Sequence, residues 1–403
     1  MATVSKSALI TLLATMLVNM IGFGLIVPLL PFYAESFHAA SWQVALIFSA
    51  YSVGSFFGEP FWGKMSDRIG RRPVLISTVT SNCLLYLGLA FAPNVATAFF
   101  MRLLGGLAGG NSSVVQSYIA DVTHEDERSG RMAWISAVYN LGFIIGPAIG
   151  GWLARPELGP AGFRLPLFAA SALSLLCASG LFLFVKESRV HKTERALQLA
   201  PTAIARAAIG HPVIIRLLLV TLLGGSAFAG VESMFGLWTQ ARFQWGPHQV
   251  GSAFAVVGTV AAFCQLVLTG PLSRRFGQAR VLAAGMALTV VGFVLQPFSH
   301  GGFETIPLLA LAAFGQSVAW PNVAALISRN IDQRHLGQYL GFNNATYALA
   351  RLVGPFFLGL AFSIFSVNAP FWLATFLVAP AIALAWSARL IYTHPLQAQP
   401  AKT

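Results

Sequence analysis

Twelve apolar runs, each about as long as a membrane-crossing helix, divide this chain, and few folds accept that pattern. A spanning helix needs about 20 mostly apolar residues. Runs of this kind cover 8–30, 44–62, 73–92, 97–119, 132–153, 165–185, 214–238, 250–268, 281–298, 307–327, 339–362 and 371–388. Charged residues make up only 9% of the 403 residues, whereas a soluble domain carries roughly a quarter. The chain cannot cover itself with a water-facing surface. The expected fold class is an all-α integral membrane protein whose solvent is the lipid bilayer.

The net charge of +12 does not point to nucleic acid. The basic residues stand singly or in small clusters between apolar runs, and no basic patch with interleaved aromatics occurs. With the N-terminus placed in the cytoplasm, 20 of the 25 Lys and Arg fall on the inner side. Only Arg155, Arg164 and Arg242 fall outside, and Arg102 and Arg351 lie within runs. This asymmetry predicts an inner (cytoplasmic) membrane protein, multi-pass, with both termini cytoplasmic. The first run is read as a retained helix, because its apolar stretch is too long for a cleavable signal. Cys83, Cys177 and Cys264 each sit inside an apolar run with no metal-type spacing, so no metal site is expected.

The halves of the chain repeat. Gly63-Lys64-Met65-Ser66-Asp67-Arg68-Ile69-Gly70 recurs as Gly270-Pro271-Leu272-Ser273-Arg274-Arg275-Phe276-Gly277, and Gly146-Pro147 recurs as Gly354-Pro355, at nearly the same offset. The longest connection, from Lys186 to about Pro212, separates six runs from six. The expected division is an N-terminal six-helix bundle over 1–190, a cytoplasmic linker over 191–212 and a C-terminal six-helix bundle over 213–403.

The segment Gly63 to Arg72 holds five charges in ten residues between the second and third runs. Its pattern G-x-x-x-D-R-x-G-R-R resembles the loop between helices 2 and 3 of the major facilitator superfamily, above all the twelve-helix drug:proton antiporters. Gly-Leu-Ile-Val-Pro-Leu-Leu-Pro in run 1 and Tyr-Ile-Ala-Asp at the end of run 4 are similar to the tetracycline exporters. The resemblance implies two pseudo-symmetric bundles with substrate held between them near the midplane. It also implies gating roles for Gly63, Asp67, Arg68, Gly70, Arg71 and Arg72. Arg71 would pair with Asp121, and Asp67 would face the N-terminus of helix 11 near Gly337-Gln338, contacts expected only while the halves are closed inside. Ordinary topology-setting charge is the alternative. Gly142, Gly146, Pro147, Gly150 and Gly151 in run 5 resemble the antiporter motif. Close packing along one small-residue face explains them as well.

Glu232 is the one carboxylate deep inside an apolar run. It is the candidate proton carrier, or else a permanent partner of Arg351 or Arg102. Glu59, near the inner end of run 2, is a second candidate, or a rim partner of Lys64 or a nearby Arg. Arg102 either faces the cavity or snorkels outward. Arg351 is either the counter-charge of Glu232 or a substrate contact. Asn19, Phe23, Tyr51, Asn111, Gln116, Tyr139, Asn140, Gln265, Gln316, Trp320, Asn343 and Asn344 are candidate cavity residues, each also explicable as helix packing. Asn19 stands where the tetracycline exporters carry Asp, and runs 3 and 9 hold no acid, which counts against a tetracycline–metal substrate. The chain therefore reads as a monomeric, proton-driven exporter of small amphipathic molecules. It has no cofactor beyond the proton gradient, and a specific sugar or metabolite exporter is the alternative. No nucleophile or cofactor cluster supports an enzyme, and the repeated halves argue against a channel.

Overall fold

The computed structural model describes residues 6–109, 111–123, 125–188, 208, 210–331 and 333–392. Most of the expected linker lies outside them. The first half comprises α1 (Lys6–Glu35), α2 (Ser41–Ile69), α3 (Arg71–Ala90), α4 (Val95–Ala108), α5 (Asn111–Val122), α6 (Glu125–Leu153) and α7 (Arg164–Phe184). The second comprises α8 (Pro212–Phe243), α9 (Pro247–Phe263), α10 (Thr269–Phe276), α11 (Gln278–Leu295), α12 (Gly302–Asn330), α13 (Gln333–Ile364) and α14 (Ala369–Tyr392). Helix is the form lipid permits, because it satisfies its own backbone donors and acceptors.

Two spans are not continuous. The fourth breaks after Ala108 and resumes as α5 at Asn111. Gly105, Gly106 and Gly109 cluster there, and each costs helical stability relative to alanine. The eighth runs on to Phe276, past the end expected from the sequence, through a π-helical turn at Cys264–Leu268. With these breaks bridged, the chain makes twelve spans in two halves. Ten described helical segments are long and apolar enough to cross a membrane on their own. Large apolar side chains such as Phe57, Phe61, Trp152, Phe182 and Phe376 point outward, where only lipid would accept them.

The repeat is visible in the backbone. Gly70 and Gly277 both take positive φ, +103° and +86°, a region open to glycine at little cost. A Cβ on Gly146 would strike α1 at Ile21 and Leu25, and one on Gly354 would strike α8 at Ser226. Each motif thus seats its helix on the first helix of its own half.

The halves meet along α2 with α13, α6 with α9, and α1 with α8. The close approaches lie at the end remote from the Gly63–Arg72 loop. Gly151 abuts Pro247 and Gly251, Gly359 abuts Ser41 and Ala45, and Gly236 abuts Pro31.

Within the first half, Gly54 and Gly58 on α2 face the backbone of α4 at Leu103 and Leu107, and Gly106 faces Tyr51 and Ser55. Gly106→Val has no space for its side chain. It is expected to lower stability by about 1–3 kcal/mol through overpacking, read as a lower thermal midpoint of the purified protein. An unchanged midpoint would show that α2 and α4 can separate freely.

Candidate functional site

Arg71 begins α3 directly after Gly70 and is almost fully covered. Its Nε donates to Asp121 at 3.1 Å. Its Nη1 donates to Ser66 Oγ at 2.6 Å and meets Asp67 at 2.7 Å. Ser66, wholly buried, in turn donates to the Gly63 carbonyl at 2.8 Å. Arg72 donates to the Phe182 carbonyl at 2.7 Å and lies over the Phe182 ring. Lys64 and Arg68 are exposed. All of these groups belong to one half, and they are assembled while the halves are packed at the opposite end. The Arg71–Asp121 pair expected from the sequence is formed within the first half alone. Asp67 is different, with a side chain 58% exposed. Its described ion pair is with Arg71, not with α13. The Gly337 side of the expected contact lies outside the residues whose surroundings are described.

Glu187 was not anticipated. Its carboxylate accepts the backbone N–H of Arg71 at 2.9 Å and that of Arg72 at 3.1 Å. It thereby caps the N-terminus of α3, where orphan donors and the helix dipole favour an anion. Tyr118 ties down the neighbouring residue by donating to the Lys186 carbonyl at 2.6 Å. The signal available in the sequence was an acid at the end of run 6, on the same membrane face as the loop.

A second cluster lies between the halves. Arg102 is 4% exposed, so it does not snorkel outward. Its guanidinium sits 4.5 Å from the Tyr51 ring centroid, and its Nε and Nη2 have no hydrogen-bond partner. Tyr51 packs on Phe23 at 5.6 Å between centroids. On Phe23, from the other half, lies Arg351 at 4.6 Å. Two guanidinium groups thus flank an aromatic pair, an attraction of about 0.5–2 kcal/mol for each cation.

Tyr347, one turn before Arg351, also contacts it and packs in a tilted arrangement on Trp320, with ring centroids 4.3 Å apart. Tyr347 could have been found as the residue four positions before an intramembrane arginine. Glu232 is 8% exposed, with no hydrogen-bond partner at Oε1. The charge acting on it is that of Arg351. Among the described residues no ion pair within 4.0 Å joins them, and Arg102 is not its partner. Glu59 is exposed yet feels Arg351, and it acts in turn on Tyr51 and Tyr139. It forms no described rim pair with Lys64.

The remaining candidates divide. Asn140 donates to Gln265 across the halves at 3.2 Å. Asn19 and Asn111 instead line a small polar pocket with Thr15, Asn82, Tyr86 and Ser174, all in the first half. Asn343 accepts from Thr221 at 2.7 Å inside the second half, and Gln316 is buried there. Asn19, Asn111 and Asn343 thus have their described neighbours within one bundle. Gln116 and Asn344 are exposed. The run-5 glycines do not share one face. Gly142, Gly146 and Gly150 meet α1, while Gly151 meets α9 of the other half, because adjacent residues point about 100° apart around a helix of 3.6 residues per turn.

Two six-helix halves enclosing a charged, aromatic-lined centre define a multi-pass membrane transporter. Residues 12–246 and 233–402 match the Major Facilitator Superfamily, and the chain belongs to that family, whose members are transporters rather than enzymes. It is 30% identical to the class C tetracycline resistance protein of Escherichia coli, over 91% of this chain and 92% of that protein. It is 28% identical to multidrug resistance protein 2 of Bacillus subtilis strain 168, over 93% of each. Its fold matches the crystal structure of a bacterial homologue of the human lysosomal transporter Spinster in an inward-facing, unoccupied conformation. That match has a TM-score of 0.82 at 15% identity and covers 97% of this chain and 98% of that one.

Glu187→Gln retains the shape but loses the anion at the start of α3. It is expected to cost about 1 kcal/mol, in the range for lost helix caps, read as a lower thermal midpoint. A midpoint equal to that of the native protein would remove Glu187 from the support of the loop.

Proposed function

We propose that the chain exports small amphipathic, drug-like molecules from the cytoplasm in exchange for protons, by alternating access. The observation that carries this reading is Glu232, a buried carboxylate with a free oxygen beside Arg351 and Tyr347, at the seam of the two halves. A carboxylate held apart from its counter-charge can gain and lose a proton without breaking a hydrogen-bonded ion pair. The aromatic groups Phe23, Tyr51, Tyr139, Trp320 and Tyr347 offer apolar faces, and the charges of Glu59, Glu232, Arg102 and Arg351 offer polarity. Relatives named for resistance to tetracycline and to multiple drugs support the same substrate class.

With the basic loops in the cytoplasm, the halves are closed outside and the cluster opens inward. Substrate enters in this state. Arg71, fixed by Asp121 and Ser66, holds Asp67 at the surface. When the inner ends close, Asp67 meets the N-terminus of α13, where unpaired backbone donors favour an anion. The contact is available in the outward-open state alone and so shifts the population toward it. Asp67→Asn and Arg71→Ala are each expected to abolish transport in protein that still inserts. Both are also expected to lengthen a spectroscopic distance across the inner ends. Native efflux from either variant would exclude the gating role.

Glu232→Gln fixes a neutral side chain of similar shape. In liposomes with an imposed pH gradient it is expected to lose uphill accumulation of substrate. Counterflow without a gradient is expected to persist, since binding and reorientation need no proton. Full uphill transport by this variant would move the proton to Glu59 or elsewhere.

A further inference from the structure

The two halves share one amide-to-amide hydrogen bond among the described residues, from Asn140 Nδ2 on α6 to Gln265 Oε1. Its place on the α6–α9 interface is informative. Contacts along that interface run from Gly151 with Pro247, through Gly251 with Pro147 and Gly258 with Ile144, to Asn140 with Gln265. The amide pair is the member of this series farthest from the closed end. At 1.5 Å per residue, Asn140 is about 20 Å from the outer end of α6 and about 22 Å from its inner end, near mid-depth.

Gln265 is also the second residue of the π-helical turn at Cys264–Leu268. There the N–H of Thr269 reaches back five residues to the Cys264 carbonyl, and the Thr269 hydroxyl bonds the same oxygen at 3.1 Å. Such turns insert one residue into a helix and turn the following side chains out of register; they occur often at functional sites. This one lies where the eighth span passes its last described contact with α6. The repeat gives no counterpart, since the equivalent position in α2 is Gly58 inside an unbroken helix.

We infer that Asn140 and Gln265 form the pivot about which the halves rock, a hydrogen bond kept in both the inward-open and the outward-open states. The inference rests on the alternating-access reading above. In a rigid rocking motion, displacement grows with distance from the axis, so contacts at the ends must break while one at mid-depth near the axis need not. An amide pair suits that place, because unpaired amides inside a membrane cost free energy and a bond that persists never exposes them. The π turn supplies local freedom of backbone rotation at the same level.

The test compares two cross-links in protein whose native cysteines have been replaced. Asn140→Cys with Gln265→Cys places one at mid-depth. Trp152→Cys with His248→Cys places the other beside the Gly151–Pro247 contact. Each pair is joined by a short bifunctional thiol reagent, and joining is confirmed by mass spectrometry before transport is measured in liposomes. The mid-depth link is expected to leave at least half of the transport rate, and the end link to reduce it at least tenfold. Loss of transport with the mid-depth link overturns the pivot. Full transport with both links overturns alternating access itself, and the pivot with it.

Independently of cross-linking, Asn140→Leu and Gln265→Leu are each expected to lower the maximal rate at least threefold with KM unchanged. The exchanged pair Asn140→Gln with Gln265→Asn restores it. Native maximal rates in either Leu variant, or failure of the exchange to rescue, overturn the assignment.

Discussion

Lipid offers a protein neither hydrogen bonds nor screening of charge, and the structure follows from that. Every span is helical because the backbone must satisfy itself. The ionisable groups within the spans are drawn to the seam between the halves for the same reason, since facing hydrocarbon would cost several kcal/mol each. What receives Arg102 and Arg351 there is aromatic. Arg102 rests on Tyr51, Tyr51 on Phe23, and Phe23 under Arg351. The stack starts in one half and ends in the other. The same four side chains therefore join the halves, with Arg102 buried and Arg351 partly exposed.

The two halves share a scaffold but not a chemistry. Gly70 and Gly277 turn alike, Gly146 and Gly354 pack alike, and Ser66 and Ser273 both enter side-chain hydrogen bonds. The repeat keeps what the backbone requires. Charge is repeated only at Arg68, which recurs as Arg275. Where the first loop has Asp67 and Arg71, the second has Arg274 and Gln278, and the acid that fixes Arg71 is supplied within the first half alone.

Span number and the charged segment between the second and third spans were legible because each rests on local composition, although α2 runs on to Ile69 and α3 starts at Arg71, so that only Gly70 of the expected loop is non-helical. Run length, loop charge and glycine spacing need no partner to be recognised. The division of the polar candidates was not legible. Asn19 and Asn111 sit in apolar runs just as Asn140 does, yet the first two turn into a single bundle and the third crosses to Gln265. That choice depends on helix rotation, which apolar patterning fixes poorly when lipid and core are both apolar. The π turn beside Gln265 is hidden for a related reason, since Cys264–Leu268 reads as ordinary helix. Glu187 acts through backbone donors more than a hundred positions away in sequence, a contact that only the packing of α7 against α3 creates.

If the halves rock as proposed, the chemistry of the described inter-half contacts matches the amount each would move. At the closed end the surfaces are glycine against backbone, as with Gly151 and Gly251. Dispersion contacts of this kind separate without orphaning a donor or acceptor. Ser49, which donates to the Leu352 carbonyl at 2.9 Å, can return its hydroxyl to a carbonyl of its own helix when the halves part. At the loop end the parting groups are charges such as Asp67, and there water replaces the lost partner. Mid-depth offers neither remedy. An amide or guanidinium that loses its partner there has no solvent to turn to until the cleft admits it. The groups with the most to lose, Asn140, Gln265, Arg102 and Arg351, lie away from the closed end, where the proposed rocking would ask least of them.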